Sequence, residues 1–453
     1  MYDLVIRGGT VINSTGIHNV DIGIQNGTII EMAPGLSGRE QIIASGYLVL
    51  PGGVDPHVHL EMQAGVTSTS DTWETGSRAA AFGGTTTIID FVEPYYSSQP
   101  LMEAFNQRLA ETSGKAAVDF GFHMTLCDAN QLTLKQIPAV AESGMHSFKV
   151  YTTYEDFHLK DPDLLTVFRA VREAGGMVIV HAESDAIIQD AVQRLRIAGR
   201  LDTADFPESR PAIAEKEAIE RVLTLANYTG TPVYIVHIST AAGAKAVDHA
   251  RNGGQEAWGE TCPQYLLLDD TCIKSGGFEG AKFVCCPPIR SRDENTALWS
   301  ALKSGQLHTI GTDHCAFNFQ EQKEMGRDSF LKIPPGLPGI ELRLALIYTY
   351  GVRTGLLSLN QFVDLCCTSP ARLFGLYPKK GDLIPGADAD IVLFDPNHLT
   401  TITQSILHEN VDYTPYEGLQ LEGRVHTTIL RGRVLVRNGE WAAESSLGEY
   451  QKC

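Results

Sequence analysis

Short runs of hydrophobic, mostly β-branched residues recur along the middle of the chain, and segments with an amphipathic helical period lie between them. The runs predict eight strands, near residues 47–50, 85–91, 119–127, 147–152, 177–181, 232–238, 256–261 and 308–312. Helical patterns include residues 71–82, 101–112, 163–174, 215–228 and 293–304. Strands that alternate with such helices are typical of parallel βα units. Eight units predict an α/β fold, a (β/α)8 TIM-like barrel. The alternative is an open doubly wound sheet, but no G-x-G-x-x-G follows the first strand.

The two ends of the chain have a different pattern. Residues 1–50 show short alternating strands with a hairpin turn at Gln25-Asn26-Gly27, and residues 389–394 and 427–436 have similar strand patterns. We therefore predict a small β-sandwich domain built from both termini, from residues 1–50 and 380–440. The barrel is then expected over residues 51–379. Residues 441–453 are polar and are predicted to form a loosely ordered tail or an arm between subunits.

The charge, the hydrophobic runs and the cysteines of the chain exclude several classes of protein and of binding partner. The 453 residues include 36 Lys and Arg against 54 Asp and Glu, a net charge of −18, which argues against nucleic acid and anionic membranes. Without an apolar run of about 18 residues or a signal-peptide pattern, we expect a cytoplasmic protein with no transmembrane helix. The nine cysteines are an odd number with no C-x-x-C spacing, which favours reduced thiols over disulfides or a cysteine zinc site.

Polar residues of metal-binding type accompany several of the predicted strands. They are His57 and His59 after the first strand, Lys149 in the fourth, His181 and His237 at the ends of the fifth and sixth, and Asp313 after the eighth. Residues two apart on a strand face the same side, so His57 and His59 can chelate one ion. Each residue alone has an ordinary structural explanation. Because the carboxyl ends of barrel strands meet at one mouth, the whole set predicts one or two divalent cations such as zinc.

A lysine inside the apolar fourth strand needs its own explanation, because an ammonium group has no lone pair and cannot bind a metal. Burial near cations would lower the pKa of Lys149 from its usual value of about 10.4. The neutral amine can add CO₂ to give a carbamate, an anion whose two oxygens can bridge two metal ions. This modification is a hypothesis for why a lysine occupies a ligand position.

Several motifs identify the chain as similar to the amidohydrolase superfamily, and closely to its dihydropyrimidinase/hydantoinase branch of cyclic amidases. The motifs that carry the resemblance are Pro51-Gly52-Gly53-Val54-Asp55-Pro56-His57-Val58-His59, Gly83-Gly84-Thr85-Thr86-Thr87, Ser147-Phe148-Lys149-Val150-Tyr151 with Tyr154, His181-Ala182-Glu183, Glu260-Thr261-Cys262-Pro263-Gln264-Tyr265, Pro287-Pro288-Ile289-Arg290 and Gly311-Thr312-Asp313-His314. They extend over most of the chain. The resemblance implies the same barrel with a terminal β-sandwich.

The resemblance also implies a centre of two divalent metal ions per subunit, usually zinc. In that pattern His57, His59 and Asp313 hold one ion. His181 and His237 hold the other, and Lys149, as N6-carboxylysine, bridges the two. The implied reaction is the hydrolytic opening of a hydantoin or 5,6-dihydropyrimidine ring to an N-carbamoyl amino acid by a metal-bridging hydroxide. Tyr154 would stabilise the oxyanion, and Asp313 would move the proton to the leaving nitrogen.

Two expected substrate-binding positions depart from the family pattern. Cys286 stands where serine is commonest, which is acceptable if only its main chain contacts the ring. Pro335 stands where asparagine is common, and proline has no N–H to donate. The loop at residues 63–67 also lacks an aromatic residue that often lines the pocket, so Tyr151 and Phe157 are expected to line it instead.

Other functions stay open from the sequence. Allantoinases and dihydroorotases are rival cyclic amidases. A non-catalytic oligomeric scaffold of the same fold, as in the collapsin-response-mediator relatives, would have lost metal ligands, whereas all six positions are filled here. A deaminase relative would usually lack the lysine. The family resemblance suggests a homotetramer.

Overall fold

A computed structural model describes residues 1–95, 99–274 and 276–453, and its central feature is a sheet of eight parallel strands that curls into a nearly closed barrel. Barrel strands one to eight, in chain order, are Gly53–Val58, Thr85–Val92, Asp119–Thr125, Ser147–Tyr151, Met177–His181, Val233–Ile235, Ala257–Thr261 and Thr309–Ile310. Each strand pairs with the next in sequence, as in the Tyr151–His181 pair between strands four and five. The predicted TIM-like barrel is confirmed.

The prediction for the first barrel strand is wrong. Residues 47–50 contribute to Leu48–Pro51, which pairs with Ile391–Thr401 in the terminal β region. Barrel strand one starts after Gly52, where the chain passes closely between the two sheets. A Cβ at Gly52 would lie 2.0 Å from Oγ1 of Thr86. Both flanking segments are buried, so the hydrophobic pattern alone did not separate them.

Strands one and eight are joined mainly through side chains and one isolated bridge between Val58 and His314. The Asp55 carboxylate accepts hydrogen bonds from the Thr312 backbone N–H at 3.1 Å and from its Oγ1 at 2.7 Å. The His59 N–H donates to the His314 carbonyl at 2.8 Å. The fully buried Arg343 donates to the carbonyls of Val54 and Ile310, both at 2.9 Å. These bonds close the barrel beside the predicted ligands.

Helices surround the barrel and connect its strands. The α-helices are Trp73–Phe82, Leu101–Thr112, Gln131–Glu142, Asp161–Glu173, Asp185–Ile197, Phe206–Ser209, Ala212–Thr229, Ala241–Asn252, Pro263–Leu267, Thr271–Lys274, Arg292–Ser304, Arg343–Ile347, Leu359–Val363 and Ser369–Leu373. Short 3₁₀ helices occupy Thr203–Asp205, Gly277–Phe283, Lys323–Gly326, Phe330–Lys332 and Gln404–Ile406, and π-helical turns occupy Tyr348–Val352 and Asp364–Thr368. Within the described residues, no helix has the length and apolar character needed to cross a membrane.

Local sequence signals explain where several helices begin and end. Thr72 caps the helix Trp73–Phe82 by accepting a hydrogen bond from the Thr75 N–H. The helix Arg292–Ser304 carries acidic residues in its first turn, which favour the positive end of the helix dipole. It ends at Gly305, whose φ of 78° suits a residue without a Cβ. These helices agree closely with the predicted ranges.

The two chain ends form a four-stranded and a seven-stranded sheet. The first has the order Thr28–Ala33, Asp21–Gln25, Tyr2–Arg7, Gly38–Ile43, and the second Glu440–Trp441, Arg433–Arg437, Gln420–Leu430, Ile391–Thr401, Leu48–Pro51, Thr10–Asn13, Gly16–His18. One buried cluster with members from both sheets, including Leu4, Ile22, Val49, Ile391 and Ile429, packs between them. This arrangement agrees with a terminal β domain, whose exact limits stay a prediction. A separate two-stranded hairpin, Gln63–Ala64 with Thr67–Ser68, follows barrel strand one.

Residues 441–453 are not a loose tail. Their last five residues run beside barrel strand three, where the Phe120 N–H donates to the Glu449 carbonyl at 3.1 Å and the Gln451 N–H donates to the Phe120 carbonyl at 2.7 Å. Cys453 is buried, and its carbonyl accepts a hydrogen bond from the His146 N–H at 2.8 Å. The polar composition hid this because most of the bonds are made by the backbone.

Removal of residues 449–453 is therefore expected to destabilise the protein. The deletion removes the hydrogen-bond partners of the Phe120 and His146 backbone groups. Each buried group that is left without a partner costs about 1–3 kcal/mol. We expect the apparent midpoint of thermal unfolding, followed by circular dichroism, to fall by several degrees. The substitution Lys452→Ala, which alters an exposed side chain in the same segment, serves as the control. An unchanged midpoint in the deletion variant would contradict the docked position of the segment.

Candidate metal centre

The six predicted ligands come together at the carboxyl end of the barrel. His57 lies in strand one, Lys149 in strand four and His181 at the end of strand five, whereas His59, His237 and Asp313 lie in the first residues after their strands. All six line one cavity of about 390 Å³. The cavity wall also contains Tyr154, Cys286 and Pro335, the predicted substrate-binding residues. The structure thus brings together every residue that the sequence singled out.

His57, His59 and Asp313 form the tightest group. One Oδ1 of Asp313 lies 3.2 Å from His57 Nε2 and 3.4 Å from His59 Nε2. The potential ligand atoms of the three residues all lie within 4.8 Å of one another. His57 Nε2 is buried and has no hydrogen-bond partner. Because a buried imidazole nitrogen without a partner is costly, this donor set fits a cation as its missing partner.

Glu260, which is not among the predicted site residues, orients His57. Glu260, at the end region of strand seven, accepts a hydrogen bond from His57 Nδ1 at 2.8 Å and from the His237 N–H at 3.0 Å. Its other oxygen accepts from the Tyr234 hydroxyl at 2.8 Å. Burial raises the pKa of Glu260 to about 7. With the Nδ1 proton held by Glu260, the lone pair of His57 Nε2 points to Asp313, as metal ligation requires.

His181 and His237 form the second group. His181 Nδ1 lies 2.9 Å from His237 Nε2, and burial lowers the pKa of both imidazoles, so both are neutral at pH 7. His181 Nε2 donates to Glu183 at 2.8 Å. Although burial acts to raise it, the ion pair with Arg210 and the bond from His181 lower the pKa of Glu183 to about 2. The carboxylate therefore fixes the tautomer that leaves a lone pair on His181 Nδ1.

Lys149 lines the same cavity as the two groups and is about 1% exposed. Burial lowers its pKa to about 8, although the charges of Asp313 and Glu260 act in the opposite direction. Its Nζ lies 5.0 Å from the ring centres of both Phe91 and Tyr151. A larger share of this lysine is therefore a neutral amine near pH 7–8 than for an exposed lysine. The environment meets the chemical condition for carbamate formation.

Backbone strain is concentrated in the same place. Tyr154, His237 and Asp313 have φ angles of 71°, 40° and 51°, in the left-handed region that non-glycine residues rarely adopt. Such outliers persist only where the surroundings hold them, and they cluster at functional sites. The Tyr154 ring lies 5.0 Å from the His181 ring, and the Arg210 guanidinium lies 4.9 Å from the centre of the Tyr154 ring. The phenol is thereby positioned beside the second histidine group.

The rest of the cavity wall is formed by loops. Tyr151 and Phe157 line it, as predicted, and Met62 and Phe317 add further apolar surface. The hairpin after strand one contributes Gln63 and Ala64. Glu183, Glu260 and Arg210 were missed as functional residues. Glu183 and Glu260 had a usable signal, because each lies at or just after the end of a barrel strand, and Glu183 shares its motif with the ligand His181.

Comparisons with known proteins show which proteins this chain resembles over nearly its whole length. A model of the amidohydrolase family matches residues 48–435. The D-hydantoinase of Geobacillus stearothermophilus is 42% identical over 99% of this chain and 96% of its own length. The D-hydantoinase of Streptomyces coelicolor is 40% identical over 98% of this chain and 97% of its own. The crystal structure of dihydropyrimidinase from Brevibacillus agri superposes with a TM-score of 0.97 at 41% identity, covering 99% of this chain and 98% of that one.

The contact between Glu260 and His57 generates a prediction. Glu260→Gln removes the charge that orients His57, and loss of such a partner typically lowers metal affinity by about 10–100-fold. Titration of metal-free protein with Zn²⁺, followed by calorimetry, should show this weaker binding. Asp119→Asn, which removes another buried carboxylate near the start of strand three, is the control and should bind Zn²⁺ like the wild type. Equal affinities of the Glu260 variant and the wild type would refute the orienting role.

Proposed function

The chain belongs to the amidohydrolase family, in its hydantoinase and dihydropyrimidinase branch, and on this premise we propose that the cavity opens the ring of a hydantoin or a 5,6-dihydropyrimidine. The protein is a hydrolase that acts on the C–N bond of a cyclic amide, and the expected product is an N-carbamoyl amino acid. The observation that carries the proposal is the convergence of four histidines, a lysine and an aspartate in one cavity at the barrel mouth.

The donor set supports a binuclear centre of divalent ions, which we propose to be zinc. His57, His59 and Asp313 would hold one ion, and His181 and His237 the other. Lys149, as N6-carboxylysine, would bridge the two. When bound, such a pair supplies a hydroxide at neutral pH and polarises the carbonyl of the substrate. The unpartnered His57 Nε2 and the shifted pKa of Lys149 support this assignment.

Asp313 is suited to move the proton. Burial acts to raise its pKa, but the imidazoles of His57 and His59 lower it below the ordinary value, so the group is a carboxylate at neutral pH. It can take the proton of the attacking water and deliver it to the leaving ring nitrogen. Tyr154 has the complementary property, since burial raises its pKa well above 10 and keeps the phenol protonated. Its hydroxyl can donate to the oxyanion that forms on the attacked carbonyl.

Two loop positions are proposed to hold the amide edge of the ring. Cys286 and Pro335 both line the cavity. Since Pro335 has no N–H, any contact that it makes through the main chain uses its carbonyl, which can accept from a ring N–H but cannot donate. The Pro335 carbonyl therefore favours a substrate ring that presents an imide N–H to it over one that presents a carbonyl.

A second cavity of about 540 Å³ adjoins the first and shares His59, Met62 and Phe157 with it. We propose that the substituent on the ring carbon enters this space. Its wall combines the apolar Met62 and Phe157 with the carboxylate of Glu93 and the half-exposed Tyr95. A substituent that ends in a hydrogen-bond donor fits this lining better than an anionic one.

We also propose an oligomeric state and a location for the protein. The enzyme would be a cytoplasmic homotetramer, a state that light scattering of the purified protein tests directly. Allantoinase and dihydroorotase activities are the rival reactions. A purely structural role is disfavoured, because all six ligand positions are filled and the relatives named above are hydantoinases and a dihydropyrimidinase.

Ring opening of dihydrouracil, hydantoin and phenylhydantoin, measured side by side with allantoin and dihydroorotate, tests the function. We expect metal-replete enzyme to hydrolyse at least one of the first three faster than either rival substrate. Asp313→Asn should be slower by at least about 100-fold, because it removes the proton-transferring group. If the replete enzyme turned over none of the first three, the proposed function would be wrong. Faster hydrolysis of allantoin or dihydroorotate would replace it with the rival reaction.

The bridging role of Lys149 predicts a dependence on CO₂. Metal-free protein reconstituted with Zn²⁺ in CO₂-depleted buffer should regain activity more slowly and less completely than protein given bicarbonate. Lys149→Ala should lose at least about 100-fold in kcat/KM with or without bicarbonate, since removal of a metal-supporting group costs this much or more. Recovery that does not respond to bicarbonate, or a fully active Lys149→Ala variant, would exclude the carbamate.

A further inference from the structure

A buried lysine outside the metal centre has no role in the chemistry described above. Lys323 is 0% exposed, although a lysine is rarely fully buried without an ionic partner. Its Nζ donates to the carbonyl of Val284 at 3.2 Å and to the carbonyl of Pro334 at 3.1 Å. Burial lowers its pKa to about 8. A methionine would fill this volume without the cost of desolvating an amine, so the two hydrogen bonds need an explanation.

The two carbonyls belong to the segments that carry the proposed ring contacts. Val284 lies two residues before Cys286, and Pro334 immediately precedes Pro335. The Gly336 N–H also donates to the Val284 carbonyl, at 2.9 Å. One backbone hydrogen bond therefore joins segments 284–286 and 334–336 directly, and the Lys323 amine joins them by donating to one carbonyl in or beside each segment.

The residues around Lys323 connect these two segments to the hairpin Gln63–Ala64 with Thr67–Ser68 that follows barrel strand one. The Lys323 N–H donates to the Asn318 carbonyl at 3.0 Å, and the Asn318 N–H donates to Gln322 Oε1 at 2.6 Å. The Gln322 amide in turn donates to Thr67 Oγ1 and to the Ser68 carbonyl, both at 2.7 Å. Segment 318–323 therefore contacts both the hairpin of residues 63–68 and the two segments that carry the proposed ring contacts, 284–286 and 334–336.

We propose that Lys323 is a positioning residue that sets the distance between segments 284–286 and 334–336, and so fixes the gap in which the amide edge of the substrate ring lies. The proposal rests on the proposed function for the identity of the substrate. It does not require Lys323 to touch the substrate, the metal ions or the reacting atoms. Loss of the amine should therefore weaken substrate binding more than it slows the chemical step.

The alternative is that Lys323 only stabilises the fold. In that case its loss would lower the midpoint of thermal unfolding but leave KM, kcat and the local packing of the two segments unchanged. Two thiols report on that packing directly. Cys285 is buried within segment 284–286, and Cys315 is buried beside segment 334–336, with its thiol 4.0 Å from the Pro335 carbonyl. Cys366 and Cys367 are buried elsewhere and serve as internal references.

The test compares Lys323→Met and Lys323→Arg with the wild type, all loaded with Zn²⁺, and uses Lys332→Met as the control because Lys332 is exposed on a neighbouring turn. We expect Lys323→Met to raise KM for the best substrate about tenfold with kcat within about threefold, since uniform binding is lost. Lys323→Arg, which keeps a donor, should recover part of the loss. Lys332→Met should behave like the wild type.

Alkylation by iodoacetamide, resolved by peptide mass spectrometry, is the second readout and needs no substrate. In Lys323→Met, Cys285 and Cys315 should react about tenfold faster while Cys366 and Cys367 do not change, as local opening predicts. Unchanged KM together with unchanged labelling would overturn the proposal, as would equal acceleration at all four cysteines. If Lys323→Met does not fold, Lys323→Gln, whose amide is a shorter donor, decides on the same criteria. A wild type that opens none of the rings would refute the proposed function, whereas labelling would still decide whether Lys323 holds the segments.

Discussion

The hydrogen bonds between the Asp55 carboxylate and Thr312 join the first and last strands of the barrel, and the site depends on that junction. His57 and His59 come from one side of the junction and Asp313 from the other. Without closure these residues, more than 250 positions apart in sequence, would not lie within hydrogen-bonding range of each other. The side-chain bonds do here what backbone pairing does between the other neighbouring strands.

The electrostatics of the site follow from burial. Four imidazoles and an amine are removed from water, and burial lowers the pKa of His57, His181, His237 and Lys149. Neutral nitrogen atoms are the forms that bind metals or react with CO₂. Glu260 and Glu183 then decide which nitrogen of His57 and His181 keeps the proton. A cluster of buried, neutral bases with outer carboxylates is therefore prepared for cations and would be a costly arrangement for structure alone.

Much of the fold and of the metal centre can be predicted from the sequence. Strands two to eight are evident in the sequence as buried, β-branched runs. The ligand set is evident because a histidine, lysine or aspartate lies within or just after strands one, four, five, six and eight. The strand at residues 47–50 was assigned to the wrong sheet because two consecutive buried segments differ only by the close approach at Gly52. The docked segment 449–453 is held mainly by backbone bonds. Side-chain patterns carry no record of such bonds.

The position of Lys323 between two loop segments is likewise not evident from the sequence, because it depends on bonds to main-chain carbonyls. The proposed metal ligands lie within barrel strands or within three residues of a strand end, and the register of these strands is fixed by the ladder, so their chemistry can be inferred from type and spacing. The ring-binding segments have no ladder. Their separation is fixed by a few bonds from one amine and one glycine N–H to main-chain carbonyls. The side chains at Cys286 and Pro335 can therefore differ from the family pattern, because the contacts that hold these segments in place are made by main-chain carbonyls.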